Sequence, residues 1–227
     1  MILKLGKLPG IISFVRSLSW WERRSYFRYF IWGPILNLRR FPKTAFTWQG
    51  YLSSLEVAMP RGSKSLDLGC GAIPRNPLGC EFFYGVDLRS DLEVENVRCA
   101  NLILESIPFE GDLFDCVSAF DFIEHVPRLS FGVDGRSRQP LIELIDDIWR
   151  VLKPGGYFIH LTPACPGLLA YRDPTHVNLI TDETFPLYFC GSKPWARMYG
   201  FKGKFELIGQ VWIRDAWVFC VMRKVVD

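Results

Sequence analysis

No two cysteines in this chain of 227 residues stand as a C-x-x-C pair. The seven cysteines, at 70, 80, 99, 116, 165, 190 and 220, are scattered. That excludes a zinc ribbon and a disulfide framework, and a reducing, cytoplasmic setting is expected. No metal site is read from the ligand spacing. No apolar run reaches the roughly 18 residues that a membrane-spanning helix needs. Lys4 and Lys7 precede an apolar stretch, but Arg16 follows without a small-residue cleavage site, so a signal peptide is not predicted. There is no internal repeat, no low-complexity tract and no G-x-x-x-x-G-K-[ST] phosphate loop. Acids are scarce at one end: residues 1–43 contain Glu22 and no other acid, against nine Lys and Arg.

The chain has 49% hydrophobic and 22% charged residues, as a globular protein does, and is long enough for one sizeable α/β core. Its formal charge of +3 is unevenly spread. Residues 1–43 carry +8 and the remainder, with 18 Lys and Arg and 23 acids, carries −5. The basic end is also aromatic, with Trp20, Trp21, Tyr26, Phe27, Tyr29, Phe30, Trp32 and Phe41. Such a segment suits peripheral contact with an anionic membrane or with nucleic acid. Ser19-Trp20-Trp21-Glu22 has capping-box spacing, so a helix is predicted from there to Gly33-Pro34. A second helix is predicted over 44–58, closed by Met59-Pro60. Residues 1–59 are therefore expected to form a helical cap, and 60–227 the main domain.

Within 60–227, strand-like runs fall at 64–68, 82–86, 114–120, 156–162, 204–212 and 216–223, with a shorter one near 95–99. Helix periodicity is clearest from Pro140 to Leu152, where Leu141, Leu144, Ile145, Ile148, Trp149 and Leu152 make one apolar face. Pro140 suits the first turn, and Lys153-Pro154-Gly155-Gly156 the stop. Alternating strands and helices predict a mostly parallel sheet. Only Ile213-Arg214-Asp215 joins the last two runs, which predicts a hairpin and one antiparallel strand.

The stretch richest in chemistry is Ser65-Leu66-Asp67-Leu68-Gly69-Cys70-Gly71, followed by Gly85-Val86-Asp87. Gly69 and Gly71 follow a buried strand, where glycine lets the backbone turn tightly and approach a ligand. Asp87 ends the next strand at the same edge, where a carboxylate can accept both hydroxyls of a ribose. A dinucleotide fingerprint requires a third glycine two residues on. Here Ala72-Ile73 runs into Pro74, so a nucleoside-like cofactor is favoured over a dinucleotide.

Asp67-Leu68-Gly69-Cys70-Gly71 resembles the first motif of the class I S-adenosylmethionine (SAM)-dependent methyltransferases, and Asp87 resembles their ribose acid. Phe114-Asp115-Cys116-Val117-Ser118-Ala119-Phe120 is similar to their fourth strand, and Arg150-Val151-Leu152-Lys153-Pro154-Gly155-Gly156 to the turn into the fifth. The resemblance spans about residues 60–223. It implies a Rossmann-like, seven-stranded sheet in the order 3-2-1-4-5-7-6, with the last strand antiparallel. It implies SAM held by Asp67, Gly69, Cys70, Gly71, Asp87, Leu88 and Phe120. Two departures stand out. Thirteen residues with two prolines separate Gly71 from Gly85, so the helix usual there must be short or irregular. Asn101, not an acid, precedes Ile107-Pro108-Phe109, and its amide is the candidate for the adenine edge.

A hydroxyl acceptor must lose a proton, so bases at the carboxyl edge are of interest. Asp121 and His125 lie in Asp121-Phe122-Ile123-Glu124-His125-Val126-Pro127, which resembles an E-H-V turn frequent in the family. His176 lies in Tyr171-Arg172-Asp173-Pro174-Thr175-His176-Val177-Asn178, which resembles a D-P-T-H-x-N element of a bacterial subgroup linked to surface-polysaccharide synthesis. His176, His125 and Asp121 are the candidate catalytic residues, and His160, inside a strand, is expected to be structural. The expected reaction is O-methylation of a sugar, a lipid-linked saccharide or another small hydroxyl compound. The alternatives are an aromatic or lipid acceptor, or a non-catalytic module that binds through residues 1–43. Nucleic acid is disfavoured, because the main domain is net acidic and lacks an Asn/Asp-Pro-Pro-Tyr/Phe element after 114–120.

Overall fold

The protein is described by a computed structural model covering residues 44–45, 47–92 and 94–226. The helix predicted from Ser19, and the basic-aromatic segment with it, lie outside the described residues.

The strands are β1 (Thr44–Ala45), β2 (Lys64–Leu68), β3 (Phe82–Asp87), β4 (Val97–Cys99), β5 (Phe114–Phe120), β6 (Ser130–Phe131), β7 (Ser137–Arg138), β8 (Leu152–Pro163), β9 (Phe205–Ile213) and β10 (Trp217–Lys224). The main sheet runs β4-β3-β2-β5-β8-β10-β9-β1, and β6 and β7 pair separately as a short hairpin. From β4 to β9 this is the order implied by the resemblance. The neighbours from β4 to β8 pair in parallel, and β10 is antiparallel to both β8 and β9. Arg214 and Asp215 take φ of 50° and 54°, which closes the β9–β10 hairpin tightly.

Two expectations need correction. The expected seven-stranded sheet is present, but among the described residues Thr44–Ala45, expected as helix, adds an eighth, parallel edge strand to β9. The helix predicted over 44–58 is only α1 (Trp48–Ser53). Thr47 caps it by accepting from the Gly50 amide. Ser53 and Ser54 donate their hydroxyls back to the Gln49 and Tyr51 carbonyls, and Glu56 turns out at φ 52°, which stops the helix. This part of the stretch expected as a cap lies on the sheet itself. Trp48 stacks on Phe219 at 5.8 Å and lies 5.0 Å from Phe120.

The opposite sheet face carries α2 (Pro140–Val151), with Pro140 in its first turn as predicted. Leu141, Leu144, Ile145 and Ile148 bury against Val117, Phe158 and their neighbours. Two short helices, α3 (Leu169–Arg172) and α4 (Thr184–Phe189), follow β8. Phe185 and Phe189 of α4 complete this core. At about 25 cal/mol per Å² of apolar surface, burial on both faces is what holds the sheet rigid under its loops.

All seven cysteines are free thiols. Among the described residues, no helix is long and apolar enough to cross a membrane.

Candidate active site

The ends of β2, β3 and β5 meet at one edge, where Leu68 pairs with both Val86 and Ala119. The chain leaves β2 through Gly69 and Gly71, at φ 66° and 63°. That left-handed conformation strains any residue with a Cβ. The Gly69 and Cys70 amides donate to the Val86 carbonyl at 2.9 and 3.2 Å, folding the turn over β3. A Cβ on Gly69 would lie 2.6 Å from the Phe122 ring.

No helix forms between Gly71 and β3; hydrogen-bonded turns replace it. Asn76 accepts from the Cys80 amide at 2.9 Å and donates to the Cys80 carbonyl at 2.8 Å. Pro74 and Pro77 are compatible with such turns and not with a helix interior. Asp67 anchors the same loop from below. Its carboxylate accepts from the Ser118 hydroxyl at 2.6 Å and the Arg75 amide at 2.9 Å, with no solvent exposure. Burial, only partly opposed by those hydrogen bonds, pushes its carboxyl up to about 6. Asp67 thus ties the turn to β5.

Asp87, at the end of β3, accepts from the Gly71 amide at 2.7 Å with one oxygen. The other oxygen accepts from Arg89, through its amide at 3.1 Å and its Nε at 3.0 Å. Partial burial opposes ionisation, but these hydrogen bonds outweigh it and hold the carboxyl below its ordinary range. An ionised carboxylate has about four acceptor positions, so a ribose diol can share this one, and the half-exposed Arg89 guanidinium is the group free to give way. Leu88, 67% exposed, stands next to it. Cys70 points away from this edge, into β3. A Cβ on Gly85 would sit 2.4 Å from its sulfur, and burial pushes its thiol up to about 11, so its side chain is not placed as a nucleophile and only its backbone lies in the turn. Asn101 spends its side-chain oxygen on the Ile103 amide at 3.1 Å. Phe120 is buried under Trp48, with the Arg75 guanidinium 5.2 Å over its ring.

Beyond β5, Asp121 is held at φ 49° and accepts from the Trp217 indole at 3.0 Å. One 3-10 turn later, Ile123–His125 meets the loop 173–178 that returns from β8. The Val177 and Asn178 amides both donate to the Glu124 carbonyl at 2.9 Å, stapling loop to turn. His125 and His176 lie edge to face with ring centroids 4.9 Å apart. The His125 Nδ1 faces the Thr175 carbonyl at 3.2 Å and the Thr175 hydroxyl at 3.1 Å. That hydroxyl donates to Asp173 at 2.7 Å, so both groups accept from the His125 Nδ1–H. The Thr175 hydroxyl and amide in turn hold the Asp173 carboxyl below its usual range. His176 Nε2 lies 4.0 Å from the Glu124 carboxylate and 3.9 Å from Asp173. Burial pushes the Glu124 carboxyl up to about 8.

The structure thus brings His125 and His176 together, with Asp121 at the start of the same turn. It adds Glu124, whose only sequence signal was its place beside His125. His160 is fully buried in β8 against Phe185, its ring 3.9 Å away, and burial pushes it down to about 3. It lies apart from the cluster, as a structural histidine would. Beside the cluster, a cavity of about 360 Å³ is lined by Arg128, Gln139, Asn178, Thr181, Tyr188 and Tyr199, among others. Arg128 Nε donates to Asn178 at 2.7 Å, joining the cavity wall to the histidine loop.

Residues 66–160 match a family model described as a methyltransferase domain. No curated protein matches the chain. Several solved structures share the fold. A SAM-dependent methyltransferase from Aquifex aeolicus aligns with a TM-score of 0.51 and 15% identity, over 80% of this chain and 90% of that one. The PH0226 protein from Pyrococcus horikoshii OT3 aligns with a TM-score of 0.51 and 19% identity, over 88% and 98%. The YcgJ protein from Bacillus subtilis aligns with a TM-score of 0.51 and 16% identity, over 79% and 98%. At these identities the structural likenesses establish the fold. The family match spans the glycine turn, Asp87 and the E-H-V turn. The site fits SAM: it offers two left-handed glycines and, beside them, the Asp87 carboxylate with its pKa held below the ordinary range.

Proposed function

We propose that this SAM-dependent methyltransferase of the class I fold methylates a hydroxyl group on a saccharide, free or lipid-linked. The observation that carries the reading is the joining of His125, His176 and Glu124 one turn beyond Phe122, whose ring packs on the cofactor glycine Gly69. SAM supplies a methyl group already activated on a sulfonium. The chain must bind it, orient it and free the acceptor oxygen of its proton.

Gly69 and Gly71 give the backbone its close approach, and Asp87 takes the ribose hydroxyls. Leu88 covers the adenine side, and Asn101 offers its amide to the adenine edge. Asp67, through Arg75 and Ser118, holds the turn in place, with Cys70 within it and Phe120 at its side. Proton handling falls to the imidazoles of His125 and His176, with Asp121 at the rim. The cavity beside them supports a saccharide. Two tyrosine rings offer a face for a sugar, and guanidinium, amide and hydroxyl groups offer hydrogen bonds.

The test follows S-adenosylhomocysteine formation with a panel of free and lipid-linked saccharides, alongside calorimetric SAM titration. His176→Ala should cut turnover by about 10²-fold or more, the usual scale for losing acid–base assistance, while SAM affinity holds. Unchanged turnover would remove His176 from the chemistry. A product methylated at nitrogen or carbon would overturn the hydroxyl reading.

A further inference from the structure

We propose that Glu124, His125 and His176 form a binding site for a divalent transition-metal cation such as Zn²⁺ or Mn²⁺. One ligand atom from each residue lies within 4.8 Å of the others. A cation about 2.1 Å from each donor requires them about 3–3.5 Å apart, so modest side-chain rotations bring the three to bonding distance.

Three independent observations point to a ligand here. First, the Glu124 carboxylate is 1% exposed, yet neither oxygen has a hydrogen-bond partner among the described residues. Its polar atoms are thus buried unsatisfied, and a buried carboxylate is stable in its ionised form only when it is paired or coordinates a metal. Second, His176 Nδ1 is also buried without a partner, and the closest approach of its Nε2 to Glu124, 4.0 Å, is too long for a hydrogen bond. Third, His125 is already set up as a ligand. Its Nδ1–H donates to Thr175, which leaves Nε2 as the nitrogen that can ligate, and Thr175 is itself fixed by Asp173. Metal-bound histidines are oriented in this way by an outer hydrogen-bond partner.

The donor set selects the ion. Two imidazoles and one carboxylate suit first-row transition metals, whereas Mg²⁺ and Ca²⁺ prefer oxygen alone. Three protein ligands leave an open coordination position, the arrangement of catalytic rather than structural sites. With the metal bound the two imidazoles are ligands and not bases. Resting on the hydroxyl-acceptor reading, the open position would then take the acceptor oxygen and lower its proton affinity in their place, and the Asp173 carboxylate, 3.9 Å from His176 Nε2, is a base outside the ligand set. The site itself does not depend on that reading.

The full chain, stripped with a chelator and free of SAM and acceptor, should take up one equivalent of Co²⁺ or Zn²⁺ by calorimetry. Its Co²⁺ form should show d–d bands without thiolate charge transfer, and its Cu²⁺ form electron paramagnetic couplings to imidazole nitrogen. Glu124→Gln should weaken the affinity by at least about tenfold, and the His125→Ala/His176→Ala pair should abolish binding. No saturable uptake, thiolate bands, or full binding by the double variant would overturn the site. The Cu²⁺ spectrum of the unmutated chain decides the matter even if a variant fails to fold. A chain that binds the metal but methylates no hydroxyl would refute the function and leave the site standing.

Discussion

Asp67 should make the protein less stable as pH rises through the weakly acid range. Its carboxyl is moved up from 3.8 to about 6 by complete burial, which the Ser118 and Arg75 hydrogen bonds only partly offset. Below pH 3.8 the group is protonated in both states and contributes nothing. Between 3.8 and 6 the folded chain holds a proton that the unfolded chain has released, so stability falls with pH. Above 6 the loss is complete, at roughly two pKa units of 1.36 kcal/mol, or about 3 kcal/mol. Asp67→Asn removes the charge and keeps the shape. The amide oxygen accepts from the Arg75 amide, and the amide nitrogen donates to the Ser118 hydroxyl, which can reverse its role. Urea unfolding of both proteins from pH 4 to pH 8 isolates the residue, because every other titrating group cancels in the difference. The Asn variant should gain about 3 kcal/mol over wild type across that range, with SAM affinity unchanged within a few fold. A difference that stays flat with pH would refute the argument. It would mean that Asp67 remains ionised in the fold at low pH, held by the Arg75 guanidinium 4.0 Å away.

His160 should act with the opposite sign. Burial depresses it from 6.5 to about 3, so the stability of its neutral form is fully present above pH 6.5 and is lost as pH falls toward 3. His160→Gln should therefore flatten the acid limb of an unfolding curve, and an unaltered limb would show that the ring is not the group being charged. Asp87→Ala should weaken SAM binding about 10–100-fold by calorimetry, the scale of losing hydrogen bonds to a charged acceptor. Retained affinity in a folded variant would move the ribose contact away from β3.

The parts of the molecule that were readable in the sequence are those whose physics is local. Gly69 and Gly71 announce a left-handed turn because little else tolerates it, and Pro140 with its apolar stripe announces α2. The strand order beyond this came with the resemblance, since nothing in a strand's own residues says which neighbour it pairs with. β1 is two residues long, too short for any period, and is stabilised by Trp212 and Ile213 across the sheet. The pinned turns of 72–81 were legible only as a short or irregular helix, from Pro74 and Pro77, and not as turns held by Asn76. The histidine cluster was legible only in halves. His125 and His176 were each marked by a motif, yet 51 positions separate them, and the staple that joins them is the Glu124 carbonyl accepting from Val177 and Asn178. A backbone carbonyl leaves no trace in composition.

The buried polar groups at this edge divide by how completely they are satisfied. Asp67 is buried at a cost, but each oxygen has a donor, and its position under the glycine turn accounts for both bonds. Glu124 is buried to the same degree, with its carbonyl engaged twice and its carboxylate not at all among the described residues. If Glu124 served only to staple the loop, its side chain would be irrelevant, because any residue supplies the carbonyl. An apolar side chain of similar volume would then remove the desolvation cost at no loss. A carboxyl group stands at a position where the fold needs only the backbone, next to one imidazole held through Nδ1 and another with a buried, unpartnered nitrogen. Packing does not explain that combination. A positive ligand shared by the three side chains does, one turn beyond Phe122, whose ring packs on Gly69.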